Sequence, residues 1–243
     1  MNFVFLAAGK SSRIYAHISK PKCMISINSE TIIENLLKKI PNKYKKFIVT
    51  GFKSSLIKNY LKSKKIKVKF LHNRYYKTRE MLYSLIFSLN KLNGDVIYSY
   101  SDIIYQKKIL QSLIKKKPKY ITIPILKEWK KVWKIRNKKI EDDAENLIIN
   151  SKKKTVIEIG SKINKKFPEF QFMGLIYIPS KFKKKIIKFY EKNDFKKLQT
   201  TGFLQELIKN GYIVKYEIYT GKWYEFDDFR DYKNYKKRYK NFF

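Results

Sequence analysis

Val4-Phe5-Leu6-Ala7-Ala8-Gly9-Lys10-Ser11-Ser12-Arg13, followed after a short spacer by Lys20-Pro21-Lys22, decides how the rest of the chain is read. An apolar run of strand length stops at small residues, and a polar, cationic loop follows. Backbone N–H groups of a tight turn converge on phosphate oxygens only where no large side chain intervenes. Arg13 and Lys22 add full positive charge to such a concavity. The stretch predicts a central strand running into a phosphate cradle.

These residues resemble the signature of the sugar-phosphate nucleotidyltransferase-like family, leucine-alanine-alanine-glycine-x-glycine-serine/threonine-arginine and then proline-lysine. The resemblance implies a nucleoside triphosphate site at Leu6, Ala7, Ala8, Gly9, Ser11 and Ser12, with Arg13 and Lys22 as the catalytic cations. Ser11 stands where the family carries its second glycine. A serine there narrows the backbone choices and adds a hydroxyl.

With 243 residues and 44% hydrophobic content, the chain can bury a large core as one domain over its whole length. The opening apolar stretch, Phe3 to Ala8, is too short to span a bilayer. One cysteine, Cys23, excludes an internal disulfide framework and points to the reducing cytoplasm. The net charge of +36 favours anionic partners, but only six of the 56 basic residues are arginine. The lysines are scattered over nearly every segment and accompany abundant Ile, Asn, Tyr and Phe, the bias of an AT-rich genome. Specific nucleic-acid readers use arginine's bidentate fork, so no specific nucleic acid is expected. A basic nucleic-acid- or membrane-binding protein is the rival of another class.

Taken in order, Asn2–Ala7 reads as the first strand and Ala8–Pro21 as the nucleotide loop. Helical spacing over Thr31–Ile40 and Leu56–Leu61 alternates with strands at Phe47–Gly51 and Val68–Leu71. A helix over Thr78–Lys91, a strand over Asp95–Asp102 and a helix near Gln106–Lys115 follow. The fold class is α/β, a Rossmann-like, mostly parallel sheet flanked by helices. From 119 to 178 short strands are expected at Tyr120–Leu126, Val132–Arg136, Leu147–Asn150, Thr155–Ile159 and Gln171–Ile178. They suggest a small β extension over the mouth of the nucleotide site. The last segment reads as a helix at Phe203–Lys209, a strand at Tyr212–Tyr219 and an aromatic, basic helix to Phe243.

Asn73 closes a strand as a turn residue or, as the resemblance implies together with Ser84, lies against the nucleotide base. Asp102 falls at a strand's carboxyl end, where open α/β sheets bind ligands. It matches the family's magnesium aspartate, with a helix N-cap as the alternative. Near the C-terminus, the family's glutamate-x-aspartate after a tryptophan corresponds to Glu225 and Asp227, and the resemblance makes Asp227 the second Mg²⁺ ligand. Asp228 is a substitute ligand or the cap of the last helix.

Trp129 through Arg136, Asp142-Asp143-Ala144-Glu145 and Met173-Gly174 resemble the branch of phosphocholine and phosphonate cytidylyltransferases. Trp129 and Trp133, four apart, would share one side of a strand and could hold an ammonium by cation–π attraction. Asp143 and Glu145 would share a strand face and could neutralise an amine. Packed tryptophans and a solvated acidic turn are the alternative. Gly174 lets the backbone pass close to an acceptor or merely sits in the sheet, and Glu225 completes the acceptor residues. The resemblance implies transfer from CTP to a phosphocholine- or aminoethylphosphonate-like acceptor, releasing pyrophosphate. A sugar-1-phosphate uridylyl- or thymidylyltransferase is the rival of the same fold. Homodimerisation is left open.

Overall fold

The opening apolar run forms β1 (Asn2–Ala7), with all six residues buried. The computed structural model describes residues 1–136, 138–163 and 166–238. Alternation sends Phe3, Phe5 and Ala7 into one core and Val4 and Leu6 into another, so β1 lies between two packed layers. The segment after it is not all loop, for α1 (Ser12–Ile18) forms within it around buried Ile14. Strands β2 (Ser26–Ile27) and β3 (Glu30–Thr31) pair and lead to α2 (Ile32–Lys38). Thr31 caps that helix by accepting from the Glu34 N–H at 3.3 Å.

The expected alternation continues through β4 (Lys45–Thr50), α3 (Ser54–Ser63), β5 (Lys69–His72), α4 (Met81–Lys91) and β6 (Val96–Tyr100). These four strands run parallel in the order β5-β4-β1-β6, with Val4 between Phe47 and Tyr98. Then come β7 (Ile103–Tyr105), α5 (Lys108–Lys116) and β8 (Ile121–Leu126).

Two expectations of the second half are corrected. Val132–Arg136 is not a strand but part of helix α6 (Trp129–Arg136). Trp129, Val132, Trp133 and Arg136 recur at i, i+3, i+4 and i+7 and are its buried residues, which is helical spacing. After α7 (Ile140–Asp143), β9 (Glu145–Asn150) and β10 (Thr155–Lys162), the strand expected over Gln171–Ile178 is two. β11 (Gln171–Phe172) and β12 (Leu175–Ile178) part at Gly174. Its φ is +75° and a Cβ there would lie 2.9 Å from the Tyr100 ring, so glycine is required. Next are α8 (Lys183–Glu191), α9 (Thr200–Lys209), β13 (Val214–Tyr219), β14 (Trp223–Glu225) and α10 (Phe229–Arg238). The end of the helix expected to reach Phe243 lies outside the described residues.

Among the described residues the strands build one ten-stranded, mixed, Rossmann-like sheet, β5-β4-β1-β6-β12-β8-β13-β10-β9, with β11 beside β8. β8 and β12 are threaded into that sheet, and the antiparallel pair β9-β10 extends its far end. No helix of the described residues is long and apolar enough to cross a membrane. A separate ribbon, β14-β7, positions the site. Glu225 stands opposite Ile103, and the Phe226 N–H donates to the Asp102 carbonyl at 2.9 Å. Residues 225–227 are thereby brought to the end of β6.

Candidate active site

At the carboxyl end of β1, Leu6, Ala7, Ala8, Gly9, Ser11 and Ser12 line a cleft of about 650 Å³. Arg13, Lys22, Asn73, Ser84 and Asp102 line it too. Ser11 adopts the left-handed conformation that glycine favours, φ 58° and ψ 28°. Its Oγ accepts from the Lys22 N–H at 3.1 Å and so ties the two ends of the loop together. Asn73 serves as a turn residue and also faces the cleft. Its Oδ1 accepts from the Tyr75 N–H at 2.8 Å, and its Nδ2 donates to the Ser84 hydroxyl at 2.9 Å.

The charged centre joins both halves of the chain. The Lys22 ammonium lies 3.2 Å from Asp102 Oδ2 and 3.0 Å from Asp227 Oδ1, and Arg13 pairs with Asp227. Burial works against the Lys22 charge, but Asp102 and Asp227 outweigh it and raise its pKa. Burial likewise works against the Asp227 carboxylate, and Lys22, Arg13 and Lys138 outweigh it and lower the pKa. Asp102 does not cap α5, because β7 intervenes before that helix begins. Asp228 is the cap of α10, its Oδ1 accepting from the Arg230 and Asp231 N–H groups at 2.8 and 3.1 Å.

No group of three or more metal-ligating side chains gathers among the described residues. Asp102 and Asp227 both face one cation, a donor set of the size Mg²⁺ takes beside bound phosphates and water. The carboxylates therefore fit that ion in company with a nucleotide.

A second cleft of about 410 Å³ shares Arg13, Lys22 and Asp102 with the first, so the two meet at the cations. Trp133, Asp143, Glu145, Gly174, Glu225 and Asp227 line it. Trp129 does not. It is fully buried in α6, with its indole N–H donating to the Pro168 carbonyl at 3.2 Å, so the acceptor role expected for it is corrected to a core role. Nor does Trp133 offer a free ring face. Trp223 stacks at 5.9 Å and 8°, and the Arg136 guanidinium lies 4.9 Å from the ring centroid. Asp143 and Glu145 share no strand face, since one ends α7 and the other begins β9.

Arg136 is the residue that sequence reasoning undervalued. It is fully buried, and Asp231 holds it through Nε at 3.0 Å and Nη2 at 3.2 Å. Its Nη1 lies 3.1 Å from Asp143 and 3.2 Å from Glu225, so one guanidinium is shared by three carboxylates; burial, with Asp102, Asp227 and Asp143 nearby, still pushes the Glu225 carboxyl up to about 8 despite Arg136. Burial opposes this guanidinium's charge, and Glu225 and Asp231 raise its pKa despite that. Asp231 Oδ2 also accepts from the Asp227 and Asp228 N–H groups at 2.8 and 3.0 Å, which fixes the backbone that carries Asp227. The available signal was an arginine completing the helical stripe 129, 132, 133 and 136. Gln171 and Thr201 also line the second cleft and carry no pattern of their own.

A phosphate loop at the end of the first strand, meeting a second cleft at two cations and two carboxylates, defines a nucleotide-dependent transferase. No protein-family model matches the chain. CTP:phosphoglutamine cytidylyltransferase of Campylobacter jejuni is 31% identical over 250 residues, covering 95% of this chain and 97% of that protein. The bifunctional protein GlmU of Methanococcus vannielii is 30% identical over 115 residues, 46% of this chain and 27% of its own length. Among solved structures, the inositol-1-phosphate CTP transferase of T. maritima superposes with a TM-score of 0.78 at 17% identity, over 97% of this chain and 95% of that one. CTP:phosphocholine cytidylyltransferase of Streptococcus pneumoniae gives 0.74 at 20% identity, over 97% of each chain. The chain belongs to the sugar-phosphate nucleotidyltransferase-like family, on its cytidylyltransferase branch.

Proposed function

We propose that the protein transfers the cytidylyl group of CTP to a phosphate or phosphonate oxygen of a small acceptor, releasing pyrophosphate. The meeting of the two clefts at Arg13, Lys22 and Asp102 carries this reading, since nucleotide and acceptor would touch there. The Campylobacter relative, similar over nearly its full length, is named for CTP and for an amino-acid phosphate.

The acceptor oxygen is anionic near neutral pH and needs no general base. Catalysis then rests on alignment and charge neutralisation. Arg13, exposed on the first turn of α1, would hold the β- and γ-phosphates. Lys22, fixed between two carboxylates, would stabilise charge building on the α-phosphoryl group. Asn73 and Ser84 would lie against the base. Asp102 and Asp227 would hold Mg²⁺, which supplies further neutralisation of the triphosphate when bound.

The test is pyrophosphate release with Mg²⁺, crossing CTP, UTP, dTTP and ATP against phosphorylated amines, phosphonates and glucose 1-phosphate. Release with CTP and a non-sugar acceptor, lost in Asp227→Ala, supports the reading. Release with a sugar 1-phosphate alone moves the protein to the sugar-nucleotide branch.

A further inference from the structure

Asp227 reaches the reaction centre on a backbone that one buried carboxylate holds. Asp231 is fully buried, and its Oδ2 accepts from the Asp227 N–H at 2.8 Å and from the Asp228 N–H at 3.0 Å. Arg136 binds the same carboxylate through Nε at 3.0 Å and Nη2 at 3.2 Å, so both oxygens face donors. The Tyr224 hydroxyl donates to the Asp231 carbonyl at 2.8 Å, which ties the residue to β14. Successive N–H groups that converge on one oxygen make a small anion-binding concavity, and here the protein fills it with its own side chain.

Part of this arrangement is a helix start. Asp228 Oδ1 accepts from the Asp231 N–H at 3.1 Å while Asp231 accepts from the Asp228 N–H, the reciprocal geometry of a capping box. Three features exceed what a cap needs. The bond to the Asp227 N–H reaches one residue beyond the cap. The carboxylate is wholly out of water, where an uncompensated charge is costly, and a buried arginine is committed to it. On its other side the segment is pinned again, by the Phe226 N–H on the Asp102 carbonyl at 2.9 Å. Asp227 is thus held between two backbone anchors, and its Oδ1 meets the Lys22 ammonium that Asp102 also meets.

We infer that Asp231 is the positioning residue of the carboxylate pair, holding Asp227 where it and Asp102 share one cation. The inference deepens the proposed reaction and rests on its reading of that pair as the Mg²⁺ carboxylates. Asp231 lines neither cleft and acts through the Asp227 backbone. Residues that orient metal-binding side chains from behind change metal affinity or turnover by about 10–100-fold when altered. A carboxylate is required at this position. Either orientation of an amide would turn its NH₂ toward Arg136 or toward the two backbone donors.

Calorimetric titration with CTP, in Mg²⁺ and in EDTA and without acceptor, tests the inference. The variants are Asp231→Asn and Asp231→Glu, the second keeping the charge that Arg136 needs and moving it by one methylene. Mg²⁺ should tighten CTP binding to the parent, and both variants should lose most of that gain. Their half-saturating Mg²⁺ in pyrophosphate release should rise at least about tenfold. CTP affinity in EDTA should stay within about threefold of the parent. Tyr224→Phe, which releases the Asp231 carbonyl and leaves its carboxylate in place, should lower Tm without moving the Mg²⁺ dependence. A Mg²⁺ gain retained by either folded Asp231 variant, or lost equally in Tyr224→Phe, reduces Asp231 to a structural cap and overturns the inference while the reading of the reaction stands. A parent whose CTP affinity does not respond to Mg²⁺ overturns both. The same loss seen with UTP, where CTP does not bind, would uphold Asp231 and overturn the cytidylyl-transfer reading.

Discussion

The Lys22 ammonium lies 3.0 Å from the Asp227 carboxylate, although 205 residues separate them in sequence. The same ammonium reaches Asp102, so one lysine on the phosphate loop bridges both carboxylates of the centre. Bound phosphates would draw Lys22 toward the transferring group. Lys22→Ala should therefore lower kcat by at least about a hundredfold with a smaller effect on the KM for CTP, measured by pyrophosphate release. Turnover within about threefold of the parent would show that Lys22 does not serve the transition state.

Ser11 combines a conformation unfavourable for a side chain with a hydrogen bond that only its side chain makes. Ser11→Ala keeps the left-handed backbone and loses the bond, and should cost about 1 kcal/mol, a fall of about 2–4 °C in Tm for a domain of this size. Ser11→Gly also loses the bond but removes the steric penalty of about 1–2 kcal/mol, so its Tm should stay nearer the parent. Thermal melts of the two variants check the order. A glycine variant less stable than the alanine variant would show that the backbone at Ser11 is not the dominant factor.

The site was legible where chemistry and chain are local. Leu6 to Arg13 fixed both a strand and a loop, and Asp102 ended a recognisable strand. Asp227 was reachable only through a family motif, because a two-stranded ribbon and the Phe226–Asp102 hydrogen bond bring it home. The acceptor side was misjudged for a similar reason. Val132 to Arg136 is short enough for Val132 and Trp133 to suggest a strand, and the helix is set by its buried stripe. Asp143 and Glu225 read as free acids because their partner, Arg136, is distant from Glu225 in sequence and its closest ally, Asp231, carries no motif.

Arg136 and Asp231 are both fully buried and pair through two guanidinium nitrogens. Arg136→Met should destabilise the protein by about 3–5 kcal/mol, because Asp231 is left charged in the core and Glu225 loses its cation. Urea unfolding should show a lower midpoint with an unchanged slope. Adding Asp231→Leu removes the stranded charge and should recover part of the loss. A double variant no more stable than Arg136→Met would mean that the hydrogen bonds from Asp227 and Asp228 to Asp231, not charge, dominate.

Glu145 gives a prediction about stability that can be read from pH dependence. Its pKa is raised in the folded protein, chiefly by burial, so the native state holds the proton to a higher pH than the unfolded chain does. Stability from this group is therefore greatest below the unfolded carboxylate pKa, about 4.3, and falls as pH rises through the folded value. Glu145→Gln has no charge to desolvate. Its Tm should exceed that of the parent near pH 7.5, and the difference should shrink toward pH 4. A glutamine variant less stable than the parent at pH 7.5 without ligand would show that the carboxylate already has its cation within the protein.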